Sequence, residues 1–260
     1  MSDSECPAGD AGSAGPASPD ADRVQLVSHR PLIVHTLPSA PRAAVLLLHG
    51  GSADGLAPPP PLNLPALRMR PFRGAVSRAL DERGLVLASV RYRCRGWNGP
   101  RADAAHDARG ALDELTAGLA GLAGLTAPGL PVVLVGHSMG GRAALLAGGH
   151  PSVLGIVALA PWCPPNEPVA HLRGKAIAVL HDEHDRITEA EHSWLFAERA
   201  RQEGAQVHTI AMRHGGHTML RGARHWQRLT ADLVGAILDG SPMPTASRST
   251  AGRRARTSSI

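Results

Sequence analysis

A serine set between glycines is the first group in this 260-residue chain that could form a covalent bond: Gly136-His137-Ser138-Met139-Gly140. As a bare string G-x-S-x-G says little, because a chain with 29 glycines yields roughly 0.2 such matches by chance. A serine hydroxyl is a weak nucleophile until a base takes its proton, and an imidazole held by a carboxylate is the usual base. Histidines follow in His214-Gly215-Gly216-His217, and carboxylates in His181-Asp182-Glu183-His184-Asp185. His49-Gly50-Gly51 offers a turn of small residues whose backbone N–H groups can face a developing negative oxygen. The run from His181 to Asp185 also packs five metal-binding side chains together. It lacks the helical H-E-x-x-H spacing of a short zinc motif, so no metal is expected.

Each of these groups stands at the end of an apolar run. Ala43–Leu48 precedes His49, Pro131–Val135 precedes Gly136, Ala176–Leu180 precedes His181, and Gln206–Met212 precedes His214. Val24–Val27 and Leu32–Leu37 read as an opening strand pair, and Leu85–Val90 and Val153–Ala160 as further strands. Between them lie helical stretches: Phe72–Arg83 stopped by Gly84, Ala102–Leu122, and Ser138–Ala147. Glu189–Gln202 follows, with a capping box beginning at Thr188, and a last helix with apolar residues from Trp226 to Ile237 stops at Gly240. Strands that are apolar throughout, rather than at every second residue, are covered on both faces. The fold class is therefore α/β, a mostly parallel sheet flanked by helices on both faces. In such sheets ligands bind beyond the carboxyl ends of the strands, where these residues stand.

With the serine in a strand–turn–helix setting, residues 24–239 resemble the α/β-hydrolase superfamily, in particular serine esterases and dienelactone-hydrolase-like members without a large cap domain. The resemblance implies the α/β-hydrolase fold and a nucleophile, acid and histidine in that chain order. It makes Ser138 the nucleophile and aligns Asp185 as the acid. Asp182 stands where the family commonly has glycine and Arg186 where it commonly has proline, which leaves Asp182 as a second candidate. The family's Gly-His pair maps onto Gly216-His217, with His214 as the fallback. The oxyanion hole is implied at the backbone N–H groups of Gly51 and Met139.

The implied function is a serine hydrolase that cleaves a carboxylic ester or thioester through an acyl-enzyme, without a cofactor. Pro161–Lys175 spans 15 residues with four prolines, too short for a helical cap. A minimal cap, with Trp162 lining the pocket and Ser52–Arg70 forming an apolar rim, points to a small to medium substrate. Two alternatives stand beside this one: a non-catalytic binding module on the same fold, and an acyltransferase or perhydrolase using the same triad.

The net charge of +5 and a pI of about 10 raise the question of a polyanionic partner, and the distribution answers it. Residues 1–22 carry five acids and no Lys or Arg, and residues 241–260 carry four arginines and no acid. The remaining 23 bases and 17 acids are dispersed, and only Arg91-Tyr92-Arg93-Cys94-Arg95 concentrates them. A nucleic-acid face would cluster bases and interleave aromatics, so no nucleic-acid partner is expected. The acidic leader (1–22) and the basic tail (241–260) read as disordered around one domain at 23–240. No apolar run reaches membrane-spanning length, so no membrane partner is expected. The first ten residues lack a signal peptide's basic start and apolar stretch, and three cysteines (Cys6, Cys94, Cys163) without CxxC spacing suit free thiols. The expected location is cytoplasmic, and the oligomeric state is left open.

Overall fold

Strand β2 (Ala43–Leu48) is wholly buried along its six residues, as an uninterrupted apolar run requires. In the computed structural model, which describes residues 29–123 and 130–244, it sits inside a seven-stranded sheet of order β1-β3-β2-β4-β5-β6-β7. The other strands are β1 (Leu32–Thr36), β3 (Leu85–Val90), β4 (Val132–His137), β5 (Val153–Leu159), β6 (Ala176–Asp182) and β7 (Gln206–Met212). All neighbours pair in parallel except β1, which runs antiparallel to β3 at the edge.

Among the described residues five α-helices cover the sheet: α1 (Leu64–Ala79), α2 (Asp103–Ala123), α3 (Met139–Ala147), α4 (Ala190–Gln202) and α5 (Ala223–Asp239). One core lies beneath α2, α3 and α4, with Leu112, Leu145 and Phe196 meeting Leu46, Leu134 and Ile156. The other lies beneath α1 and α5, where Phe72, Val76, Trp226 and Leu233 meet Val45, Val135 and Val157. Adjacent strand residues thus feed opposite cores, the period-2 alternation of a sheet buried on both faces. Leu134 is fully buried; truncating it to Ala should cost about 2–5 kcal/mol.

The chain winds from β2 out to β3 and then returns to β4 on the other side of β2. The strand order therefore reverses between β2 and β4, and a crevice opens above their carboxyl ends. Leu48 at the end of β2 pairs in register with Gly136 of β4, so His49-Gly50-Gly51 and Ser138 emerge side by side.

Three expectations need correction. Helix α1 begins at Leu64 rather than Phe72, with Pro65 in its first turn and Pro71 inside it. Pro71 is exposed, while Met69, Phe72 and Val76 bury on the sheet and outweigh the proline. Ser52–Arg70 is consequently not one loop, since its last seven residues are helical. The capping box at Thr188 does not form: Glu189 is the N-cap, and the Thr188 hydroxyl is used elsewhere.

Residues 161–175 carry only the short 3-10 turn Ala170–Leu172, so this segment builds no helical cap over the crevice. Cys94 and Cys163 are buried free thiols. Among the described residues no helix is long and apolar enough to cross a membrane. The expected strand Val24–Val27, residues 1–22 and most of the tail lie outside the described residues.

Candidate active site

Ser138 makes the whole turn between β4 and α3, with φ 56° and ψ −120°. A non-glycine residue in that region costs on the order of 1–3 kcal/mol and persists only where its surroundings hold it. They do: the Ser138 N–H donates to Leu159 O (3.0 Å), and its carbonyl accepts the N–H groups of Arg142 and Trp162 (both 3.1 Å). The flanking glycines are steric requirements. A Cβ on Gly136 would overlap the Gly140 backbone, and one on Gly140 would overlap the carbonyls of Leu48 and His49.

The strained serine meets a histidine. Ser138 Oγ–H donates to His217 Nε2 (2.9 Å), and His217 Nδ1–H donates to Asp185 Oδ2 (2.9 Å). Ser138 and Asp185 are buried, and His217 is partly open to the crevice. Asp185 Oδ2 also accepts the Thr188 hydroxyl (3.0 Å), and Oδ1 accepts the N–H groups of Ile187 (2.8 Å) and Thr188 (3.2 Å). Burial pushes the Asp185 carboxyl upward, but hydrogen bonds from His181, His217 and the Ile187 N–H outweigh it. They hold the acid ionised, well below the usual carboxylate range.

The two acid candidates divide the work. Asp182, at the end of β6, does not touch the imidazole: its Oδ2 accepts the Gly216 N–H (2.7 Å) and its Oδ1 the His184 N–H (3.0 Å). It fixes the backbone immediately before His217. His214 stays exposed, and only its carbonyl is engaged, accepting the Trp226 Nε1–H (2.8 Å). The run from His181 to Asp185 is thus pulled apart, with Asp185 inward and His184 outward.

Two histidines that spacing did not single out support the arrangement. His181 is fully buried; its Nε2–H lies 3.2 Å from Asp185 Oδ2 and 3.1 Å from Thr188 O, and the Ser193 hydroxyl donates to its Nδ1 (2.8 Å). His137 is also buried, and its Nε2–H donates to the His217 carbonyl (2.8 Å). Burial first and His217 second depress its pKa to about 3, so it is a neutral brace. Both directly continue the buried apolar runs of β4 and β6, and that position was the available signal for both.

Across the crevice, Gly50 packs so closely that a Cβ there would lie 3.3 Å from Ser138 Cβ. Gly51 is exposed, and its N–H donates to no acceptor among the described residues. Met139 begins α3, where the first N–H groups have no intrahelical partner. The Gly51 turn is pinned from behind: Ser52 N–H donates to Arg95 O (3.1 Å), and Trp97 N–H to Ser52 O (3.0 Å). Trp162 is half-buried, edge-on to Trp97 (6.1 Å between centroids), with the Arg142 guanidinium 3.9 Å from the Trp97 ring and 4.4 Å from the Trp162 ring. Arg142 also pairs with Glu167, so Trp162 is held in a rigid stack at the site's edge.

No protein-family model matches this sequence, and no curated protein is detectably similar to it. Solved structures do share its fold. It is similar to the esterase Est2 of Thermogutta terrifontis, solved with propionate bound (TM-score 0.59, 18% identity, covering 80% of this chain and 88% of that one). It is also similar to Est1E of Butyrivibrio proteoclasticus, solved with ferulic acid bound (TM-score 0.53, 12% identity, 80% and 96% covered). A third is a serine hydrolase without lid from Xanthomonas campestris (TM-score 0.51, 17% identity, 80% and 86% covered).

Proposed function

We propose that this chain, which has the α/β-hydrolase fold without a large cap, is a serine hydrolase acting on carboxylic esters or thioesters of small to medium size. The observation that carries the reading is the unbroken hydrogen-bond chain from Ser138 through His217 to Asp185, with the serine strained above the sheet. Esterases among the structural neighbours support it at the level of the fold.

In this reading Ser138 Oγ attacks the substrate carbonyl carbon while His217 Nε2 takes its proton. Asp185 holds His217 in the tautomer that leaves Nε2 free and stabilises the imidazolium that forms. The negative oxygen of the tetrahedral intermediate accepts the N–H groups of Gly51 and Met139, interactions worth about 3 kcal/mol each where such a donor has been removed. The intermediate collapses, His217 protonates the departing alcohol or thiol, and an ester to Ser138 remains. Water, deprotonated by His217, then releases the acid. Trp162 forms one wall for the acyl or alcohol part.

A fluorophosphonate probe tests the reading, followed by a graded panel of aryl esters and acyl thioesters. Labelling and turnover should both vanish in Ser138→Ala. A folded wild-type protein that neither labels nor turns over any member would leave the binding-module reading in its place. Turnover that requires an added alcohol or peroxide acceptor would instead identify an acyltransferase or perhydrolase.

A further inference from the structure

A cavity of about 410 Å³ lies between α1, strand β1, the end of β3 and Pro58-Pro59, and Ser138, His217 and Asp185 are not among its lining residues. That is the volume of a small-ligand pocket. Its wall is shared with the site: His49, which leads into Gly50 and Gly51, lines it. Ile33, Leu47 and Met69 give it apolar surface. Its charged lining is all of one sign. Arg70 and Arg73, one turn apart on α1, are joined by Arg91, and none of the three pairs with a carboxylate among the described residues. Arg93 also lines it, but its guanidinium is taken by Asp107 (2.6 Å). None of the lining residues is acidic.

Unpaired guanidiniums around a concave apolar surface focus a positive field, and their planar forks match carboxylate and phosphate oxygens. His35 reports that field: burial first, then the charges of Arg73 and Arg70, hold its imidazole toward the neutral form. His35 is fixed by the Ser89 hydroxyl (2.7 Å between Nε2 and Oγ), and His29 is fixed to the Arg91 carbonyl (2.8 Å). The lining histidines are therefore anchored, while the three arginines remain open to a ligand.

We infer that this cavity binds a small anionic amphiphile, with a carboxylate or phosphate head on Arg70, Arg73 and Arg91 and a compact apolar body against Leu47 and Met69. Binding there requires no chemistry at Ser138, so it stands or falls separately from the hydrolase reading. The two are neighbours through His49: an occupied cavity presses on the turn that presents the Gly51 N–H.

The test is calorimetric titration of the full chain with octanoate, octyl phosphate and uncharged 1-octanol. Saturable one-to-one binding of one or both anions is expected, at least tenfold weaker for 1-octanol. An Arg70→Gln/Arg73→Gln double variant should weaken anion binding tenfold or more, whereas Arg78→Gln on the same helix should not. Both arginines lie mid-helix in α1, Arg70 exposed and Arg73 half-buried, and contribute no described ion pair, so the double variant should fold; its far-UV spectrum checks this. Ser138→Ala should bind as wild type does. Octanoate binding without octyl phosphate would identify the head as carboxylate, and the reverse as phosphate. Equal affinity for 1-octanol, no binding of either anion, insensitivity to the double variant, or loss of binding in Ser138→Ala would each overturn the inference.

Discussion

At the ends of β6 and β7, polar groups close on one another. Asp185 collects donors from His217, His181, Thr188 and two backbone N–H groups, and Asp182 clamps the Gly216 N–H. Beyond the ends of β2 and β3 and on the neighbouring helix α1, they are left open. Among the described residues the Gly51 N–H has no acceptor, and Arg70, Arg73 and Arg91 have no carboxylate. A buried carboxylate without donors would take up a proton, so the acid side must be satisfied by the protein itself. Donors meant for a charge that arrives or develops must instead be held in place and unused. The difference separates a side that stores charge from a side that waits for it.

The largest effect tests the storing side. Asp185→Asn keeps the size of the side chain but removes the charge that fixes the His217 tautomer, and should lower kcat by about 10⁴. Asp182→Asn should cost far less, because an amide oxygen can still accept the Gly216 N–H. Comparable losses from the two variants, measured on the best ester of the panel, would erase the distinction drawn between the two acids.

That distinction shows how far the sequence could be read. The apolar runs before His49, Gly136, His181 and His214 located all four strands, because continuous burial on two faces leaves a continuous apolar signature. They placed the ends of β2 and β7, whereas β4 and β6 each run two residues further, through His137 and Asp182, whose polar side chains ended the apolar run early. Motif position favoured Asp185 over Asp182 and His217 over His214; in the structure His217 bonds Asp185, Asp182 accepts the Gly216 N–H, and His214 engages through its carbonyl. Long-range side-chain partners were not legible. Thr188 looked like the start of a capping box because Thr188 and Glu191 have that spacing, yet its hydroxyl turns to Asp185, a partner fixed only by the β6 loop's tertiary fold. The cationic cavity was equally hidden, since its arginines come from α1 and from the segment after β3, 18 residues or more apart.

On the waiting side, Gly51→Ala is the sharper probe. A Cβ there would overlap the Arg95 carbonyl and lie 2.5 Å from Met139 Cε. The carbonyl belongs to the backbone that pins the turn, so the turn itself must move and misplace its N–H. A loss on the order of 10² in kcat is expected, with little change in the urea unfolding midpoint. Unchanged kcat would remove Gly51 from the oxyanion role.

His137 connects the two sides and should be visible in stability. Its folded pKa of about 3 lies below the ordinary value of 6.5. Between those values the unfolded chain binds a proton that the folded chain refuses, so stability falls as pH drops through that window. The slope from this one group is at most about 1.4 kcal/mol per pH unit. His137→Gln should therefore flatten the dependence of urea unfolding free energy on pH between 6.5 and 4, even if it lowers stability at pH 7. An unaltered slope would mean that His137 titrates normally in the folded protein.

The smallest effect belongs to His181, which acts only through Asp185. Its Nε2–H is shared between Asp185 Oδ2 and Thr188 O, and Ser193 holds the opposite nitrogen. Removing it leaves Asp185 with His217, the Thr188 hydroxyl and two backbone N–H groups, enough to keep the carboxylate ionised but less firmly placed. His181→Gln should lower kcat by about tenfold, which is about 1.4 kcal/mol of barrier. KM should stay near wild type, because His181 is fully buried and touches no substrate. A purely structural role would lower the unfolding midpoint and leave kcat per folded molecule unchanged. A positioning role moves kcat at constant KM, and in an Asp185→Asn background the same substitution should add almost nothing, since the group it acts through is already gone.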